Sequence, residues 1–352
     1  MMKTIVRVAS VALVSCLAVA CGRSRVEYRP VETADCPAVE KEEFVEVMAR
    51  SCRALLDFDE YLLVAANMDG YVFHLYPKAG GEKISVGRVG RGPNELVQVT
   101  DVRKYGDREF YAYDAHAGKM LWYHIDSVAL GNANPYRVES VSVPDRFTTV
   151  YSVFGFGNGM RLYDGAVGLN SGLPLTRFAW VDGDGRVTES YAEYPAAADT
   201  TTMAWLYTVE PKLMAVSPDG EKMVVANAVF GAIMEMFDIG KGKIKRSAAR
   251  YLIEPVIEFD EKSLRPKAGS DFVAGFADVC AADEAIYTLY YGEKITGYPR
   301  NKIVVFDWNG EVKHVYDTGC FNDHIAYDRK ENCVYTVSLQ EDGRLLILKY
   351  RL

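Results

Sequence analysis

Six times along this chain an extended stretch ends on an aromatic or bulky apolar residue, turns and starts again: at Tyr76, Ile125, Val181, Phe237, Phe306 and Tyr350. Four of these anchors run straight into aspartate, as Ile125-Asp126, Val181-Asp182, Phe237-Asp238 and Phe306-Asp307. The anchors lie 49, 56, 56, 69 and 44 residues apart, which fits a four-stranded blade plus connections of variable length. Between turns of Gly, Asp and Asn lie short runs rich in Val, Ile, Tyr and Phe, with no sustained helical period. The repeat predicts an all-β chain folded as a six-bladed β-propeller of four-stranded antiparallel blades. It names no reaction.

Assigning strands places blade one at 52–86, blade two at 100–143, blade three at 148–193, blade four at 213–251 and blade five at 276–316. Blade six, 324–350, reaches the end of the sequence with three strands. Its fourth is expected from the other terminus, in Glu42-Glu43-Phe44-Val45-Glu46-Val47, which would close the ring and remove an exposed edge. A short amphipathic helix over that segment is the alternative. The chain of 352 residues, 49% hydrophobic, is ample for such a core, and residues 40–352 read as one domain.

The first 20 residues read as a targeting segment. Lys3 and Arg7 precede an apolar run, Val8 to Ala20, too short for a confident membrane span. Ala18-Val19-Ala20-Cys21, followed by polar Gly22-Arg23-Ser24-Arg25, resembles the lipobox of bacterial lipoproteins, which implies cleavage before Cys21 and its acylation. Leu13-Val14-Ser15-Cys16 is a rival site, and an ordinary cleaved signal peptide is the simpler alternative. Residues 21–39 then read as a tether. Of the remaining cysteines, Cys36, Cys52, Cys280, Cys320 and Cys333, the odd number leaves at least one without an internal disulfide partner, and none sits in a metal or redox spacing. Most are expected to be small buried hydrophobes.

Two segments carry a family resemblance. Gly87-Arg88-Val89-Gly90-Arg91-Gly92-Pro93-Asn94-Glu95-Leu96, directly after the last strand of blade one, resembles the Gly-x-Gly-Pro-x-Glu-[Phe/Leu] signature of TolB-like six-bladed propeller lipoproteins. Met214-Ala215-Val216-Ser217-Pro218-Asp219-Gly220-Glu221-Lys222 resembles the Ser-Pro-Asp-Gly-Lys element of TolB and related propellers, with Glu221 inserted before the lysine. The resemblance implies an envelope lipoprotein of this fold.

Connections sort by face. The A–B and C–D turns are mostly tight, as in Pro218-Asp219-Gly220 and Asn309-Gly310, residues that supply or preset the turn dihedrals. The D–A and B–C connections on the opposite face include the long ones, 87–98, 164–176, 195–211, 253–274 and 290–301, and long loops on a rigid scaffold carry function. On that face Arg88, Arg91 and Glu95 are candidate ligand-binding residues, the arginines through their guanidinium groups, while Glu95 could instead accept backbone N–H bonds at the crossing between blades. Trp205, Tyr207, Phe259, Tyr290, Tyr291 and Tyr298 are aromatic candidates for stacking on a sugar or peptide, or for packing the loops onto the blades.

Asp101, Asp278 and Asp323 each fall at the start of an inner strand, where three carboxylates could hold a hard cation such as calcium or simply cap their own turns. Asp182-Gly183-Asp184-Gly185 lacks the later ligands of a calcium loop and reads as a hairpin. His74 and His124 fall inside strands, where packed imidazoles are expected. A net charge of −8 with no basic stripe argues against nucleic acid. The expected function is a lipid-anchored binding or scaffolding module in the bacterial envelope, with no catalytic role; the alternative is a metal-dependent hydrolase or lactonase-like enzyme with Asp101, Asp278 and Asp323 at the channel mouth. The anchor is expected at the outer membrane, facing the periplasm, with an envelope protein, peptide or glycan as partner. Replacing Cys21 with Ser should release the protein from the membrane fraction and abolish labelling by a fatty-acid analogue, while Cys16→Ser leaves both intact; the reverse pattern moves the anchor to Cys16.

Overall fold

The computed structural model describes residues 26–156, 159–167, 176–195, 212–228, 230–258, 273–294 and 299–352. They form six four-stranded antiparallel sheets. Blade one contains β2 (Ala54–Phe58), β3 (Tyr61–Met68), β4 (Tyr71–Pro77) and β5 (Ile84–Arg88); blade two contains β6 (Val99–Tyr105), β7 (Glu109–Asp114), β8 (Lys119–His124) and β9 (Arg137–Ser140). Blade three follows with β10 (Thr149–Gly155), β11 (Arg161–Ala166), β12 (Phe178–Val181) and β13 (Val187–Tyr191). Blade four has β14 (Lys212–Val216), β15 (Lys222–Asn227), β16 (Ala232–Asp238) and β17 (Lys245–Ile253), and blade five β18 (Phe276–Ala281), β19 (Ile286–Tyr290), β20 (Lys302–Phe306) and β21 (Val312–Asp317). One short helix, α1 (Ile125–Ala129), caps its first turn with the His124 ring. No helix among the described residues is long and apolar enough to cross a membrane.

Blade six is made from both ends of the sequence. β22 (His324–Asp328), β23 (Cys333–Leu339) and β24 (Leu345–Arg351) pair in order, and β1 (Glu40–Val47) adds to β24 as the outer strand. The register runs from Glu40 opposite Arg351 to Val47 opposite Leu345, with a bulge between Glu43 and Val45. Phe44 meets the Tyr335 ring edge-on, and Val47 is buried. Charge supports the same pairing, since Glu42 lies near Lys349 and Arg351. The segment is a strand, and the helical alternative falls.

The anchors explain themselves through packing. The buried apolar residues group into six clusters, each at a junction of consecutive blades, and each anchor falls in a different one. Ile125 of blade two packs with blade one, Val181 of blade three with blade two, and Tyr350 of blade six with blade five. The last apolar residue of each third strand thus fills the gap toward the preceding blade. At Val181, Phe237 and Phe306 the fourth strand carries a bulge opposite the anchor, which adds the local twist a blade needs. Two of the following aspartates close their hairpins: Asp182 Oδ1 accepts from the Asp184 and Arg186 amides, and Asp307 Oδ1 from those of Asn309 and Glu311.

Residues 26–39, expected as tether, lie along the ring where they are described. The Arg29 amide donates to the Tyr251 carbonyl, Tyr28 meets the Tyr251 ring edge-on, and Val31 is buried in the cluster between blades four and five. Next, Pro37 and Val39 exchange backbone bonds with Asp317 before β1 begins. Deleting residues 40–48 should leave β24 an open apolar edge and drive the protein into aggregates, read by size-exclusion chromatography; a soluble, monodisperse deletion product would refute closure by β1.

Candidate functional site

Because successive strands alternate in direction, the A–B and C–D turns share one face and the B–C and D–A connections the other. On the second face the chain forms two open clefts on either side of the 340–344 turn of blade six. The larger, about 560 Å³, includes Glu46, Met48, Arg50, Arg53, Asn67 and Arg344 in its walls. The smaller, about 400 Å³, includes Lys41, Arg300, Phe321, Gln340, Asp342 and Arg344. Their volumes are in the range of small-ligand sites. Both depend on ring closure, since the β1–β2 connection builds one wall and Lys41 of β1 the other.

The glycine-rich loop follows β5 as the D–A connection from blade one to blade two. Glu95 Oε2 accepts the Gly92 amide at 2.8 Å, and the backbones of Gly90 and Leu96 and of Leu96 and Arg88 bond at 2.9 Å each. A Cβ on Gly90 would sit 2.0 Å from Glu95 Oε2, which is the reason for glycine there. The Val89 amide bonds to the carbonyl of Gly70, a turn of blade one close in sequence to the cleft residue Asn67. Arg88 and Arg91 are exposed, Arg88 over the Tyr71 ring. The same loop is thus a self-capped connection that displays two guanidinium groups.

The other candidates separate. Tyr290 packs on Phe276 and Tyr291 stacks on Phe321, with both rings buried; burial pushes the Tyr290 hydroxyl up to about 12. Cys21, Trp205, Tyr207, Phe259 and Tyr298 lie outside the described residues. Cys36, Cys52, Cys280, Cys320 and Cys333 form no disulfide, with Cys52 and Cys333 buried. His74 is buried between the Ser85 hydroxyl at 2.8 Å and the Ala66 carbonyl at 3.0 Å.

The three channel aspartates sit with cations of the protein itself. Asp101 Oδ1 is 2.7 Å from Arg103 Nε, although Oδ2 has no hydrogen-bond donor among the described residues. Arg103 crosses from blade two to the Met214 carbonyl of blade four, over the Phe154 ring of blade three. Asp278 Oδ2 lies 3.3 Å from His324 Nδ1 and accepts the Ile325 amide at 3.1 Å, while Asp323 Oδ2 is 3.7 Å from His324 Nε2. That nitrogen also lies 3.1 Å from the Cys52 carbonyl, so His324 ties blade six to blade five and to the entry of blade one. These carboxylates do not converge as one set of oxygen ligands and fit calcium poorly. Among the described residues one other group of potential metal ligands clusters, Asp328, Glu331 and Cys333. There Lys78 holds Asp328 at 2.5 Å and Lys349 holds Glu331.

No protein-family model matches the chain, and no curated protein does. Solved structures do. A member of the DUF4221 family from Bacteroides vulgatus is 11% identical over 89% of this chain and 96% of its own, with a TM-score of 0.56. A protein of Bacteroides fragilis described as exported is 12% identical over 92% and 93%, with a TM-score of 0.51. The WD40 repeats of RRP9 are 9% identical over 90% and 99%, also at 0.51. At these identities the likeness shows a shared fold, the β-propeller.

The cleft residues Lys41, Arg50, Arg53, Arg300 and Arg344 escaped the sequence reading. They are single cations scattered over 300 positions of numbering, and no local pattern joins them. No spacing or motif in the sequence singles out His324. Burial lowers its pKa, but the hydrogen bond and charge of Asp278, with the charge of Asp323, outweigh this and raise it to about 9. Its unfolded value is about 6.5. The protonated ring therefore stabilises the fold fully below about pH 6.5, and that contribution is lost as pH rises through about 9. His324→Gln should cost about 3 kcal/mol at pH 6 and flatten the fall of Tm between pH 7 and 9.5; an unchanged slope in the variant would exclude this residue as its source.

Proposed function

We propose that the chain is a TolB-like, lipid-anchored envelope protein that acts as a binding or scaffolding module, taking its partner on the face of the D–A and B–C connections. The pair of open clefts over blade six carries this reading. They lie on the face with the long connections, which also presents the exposed Arg88 and Arg91, while the opposite face has tight, self-bonded turns. Export and anchoring rest on the apolar leader and Cys21. Six residues lie between Cys21 and Tyr28, so the reach from one to the other is at most about 25 Å. An acylated Cys21 would thus hold the ring close to the bilayer, which favours a partner at the membrane surface or within the envelope.

The channel supports a structural role in this reading. Arg103 and His324 neutralise the carboxylates that a metal-dependent reaction would need and tie blades together instead. A photo-crosslinker placed at Arg91 or Gln340 of the anchored protein should form a discrete adduct in its own envelope, and one at Asp219 or Asn309 on the opposite face should not. Equal adducts from both faces, or adducts from the tight-turned face alone, would overturn the assignment.

A further inference from the structure

We infer that the ligand of the blade-six clefts is an acidic saccharide, a sugar chain bearing carboxylate or sulfate groups; the inference rests on the binding-module reading and specifies its ligand. The chain as a whole is acidic, with a net charge of −8. The cleft walls reverse this balance, with Lys41, Arg50, Arg53, Arg300 and Arg344 against Glu46, Glu341 and Asp342. A concave surface with an excess of one sign concentrates ligands of the other.

The cations differ in what they already hold. Arg344 is engaged by Asp342 at 2.8 Å and Glu46 at 3.7 Å, and Lys41 donates to the Thr318 carbonyl at 3.3 Å. Arg50, Arg53 and Arg300 are exposed and form no ion pair with a described residue. Each can offer a planar fork of N–H donors to a carboxylate or to two sulfate oxygens. Ser51, Asn67 and Gln340 add hydroxyl and amide groups of the kind that meet sugar hydroxyls, and Phe321 and Met48 add apolar surface for a ring face.

Peptide modes fit less well. β24 is already paired with β1 and is closed to strand addition, and in both clefts charged side chains interrupt the apolar ones, so neither provides a continuous apolar groove for an amphipathic helix. In the turn between the clefts, an added Cβ on Gly343 would meet nothing within 4 Å, so the space above it is open. A flexible sugar chain can lie across it and reach both clefts.

The test uses the full chain in detergent, with polygalacturonate and dextran sulfate as acidic probes and with dextran and polyglutamate as controls. At least one acidic saccharide should bind, more weakly as salt rises, and dextran and polyglutamate should not match it. Joint replacement Arg50→Ala, Arg53→Ala and Arg300→Ala should weaken that binding at least about tenfold with Tm unchanged, and lysines at the same positions should restore it only in part. The inference is overturned if neither acidic saccharide binds, if polyglutamate binds as tightly, or if the folded alanine variant keeps its affinity. Should crosslinks from Arg91 or Gln340 persist in that event, the binding face stands and only its ligand class is wrong; their loss as well removes both.

Discussion

One seam holds the ring: the backbone pairing of β1 with β24. Without it β24 would expose a row of unpaired N–H and C=O groups along a strand whose Leu345, Leu346, Ile347, Leu348 and Tyr350 are buried, the combination most prone to edge-to-edge association. The same seam brings the two ends of the sequence into one blade. It also positions the 48–53 connection beside the 340–344 turn, and so creates the cleft between blades six and one.

Electrostatics reinforces that junction beside the apolar cluster that fills it. Lys78 bridges Asp57 of blade one and Asp328 of blade six at 2.5 Å each, with all three side chains nearly buried. Across the channel Arg103 collects blades two, three and four, and His324 collects blades five, six and one. Buried pairs of this sort need not add net stability, because desolvation offsets much of the attraction, but removing one partner leaves an uncompensated charge. Their geometry therefore fixes how blades face one another more than it deepens the fold.

Some of this was legible residue by residue. The anchors were visible because each blade reuses one solution, an apolar side chain aimed at the preceding blade, followed in four of the six by an aspartate. Closure by Glu42–Val47 was visible because blade six was one strand short. The channel pairing was not, since nothing in Arg103 or His324 marks which carboxylate each meets. Tyr290 and Tyr291 read either as ligand-stacking aromatics or as rings that pack a long loop onto the blades, and the second holds, with the rings turned inward onto Phe276 and Phe321. Strand alternation sets direction within a strand, and at its end the backbone turns before a side chain commits to a face.

The sequence by itself determined the number of blades, the strand that closes the ring and the face with the long connections, because these follow from local periodicity and turn chemistry repeated along the chain. Only the tertiary structure decided that the candidate aspartates meet protein cations and that Arg50, Arg53 and Arg300 surround neighbouring clefts. Those residues come from different blades and from both ends of the chain. Their proximity is a property of the closed ring, and no local segment of the sequence encodes it.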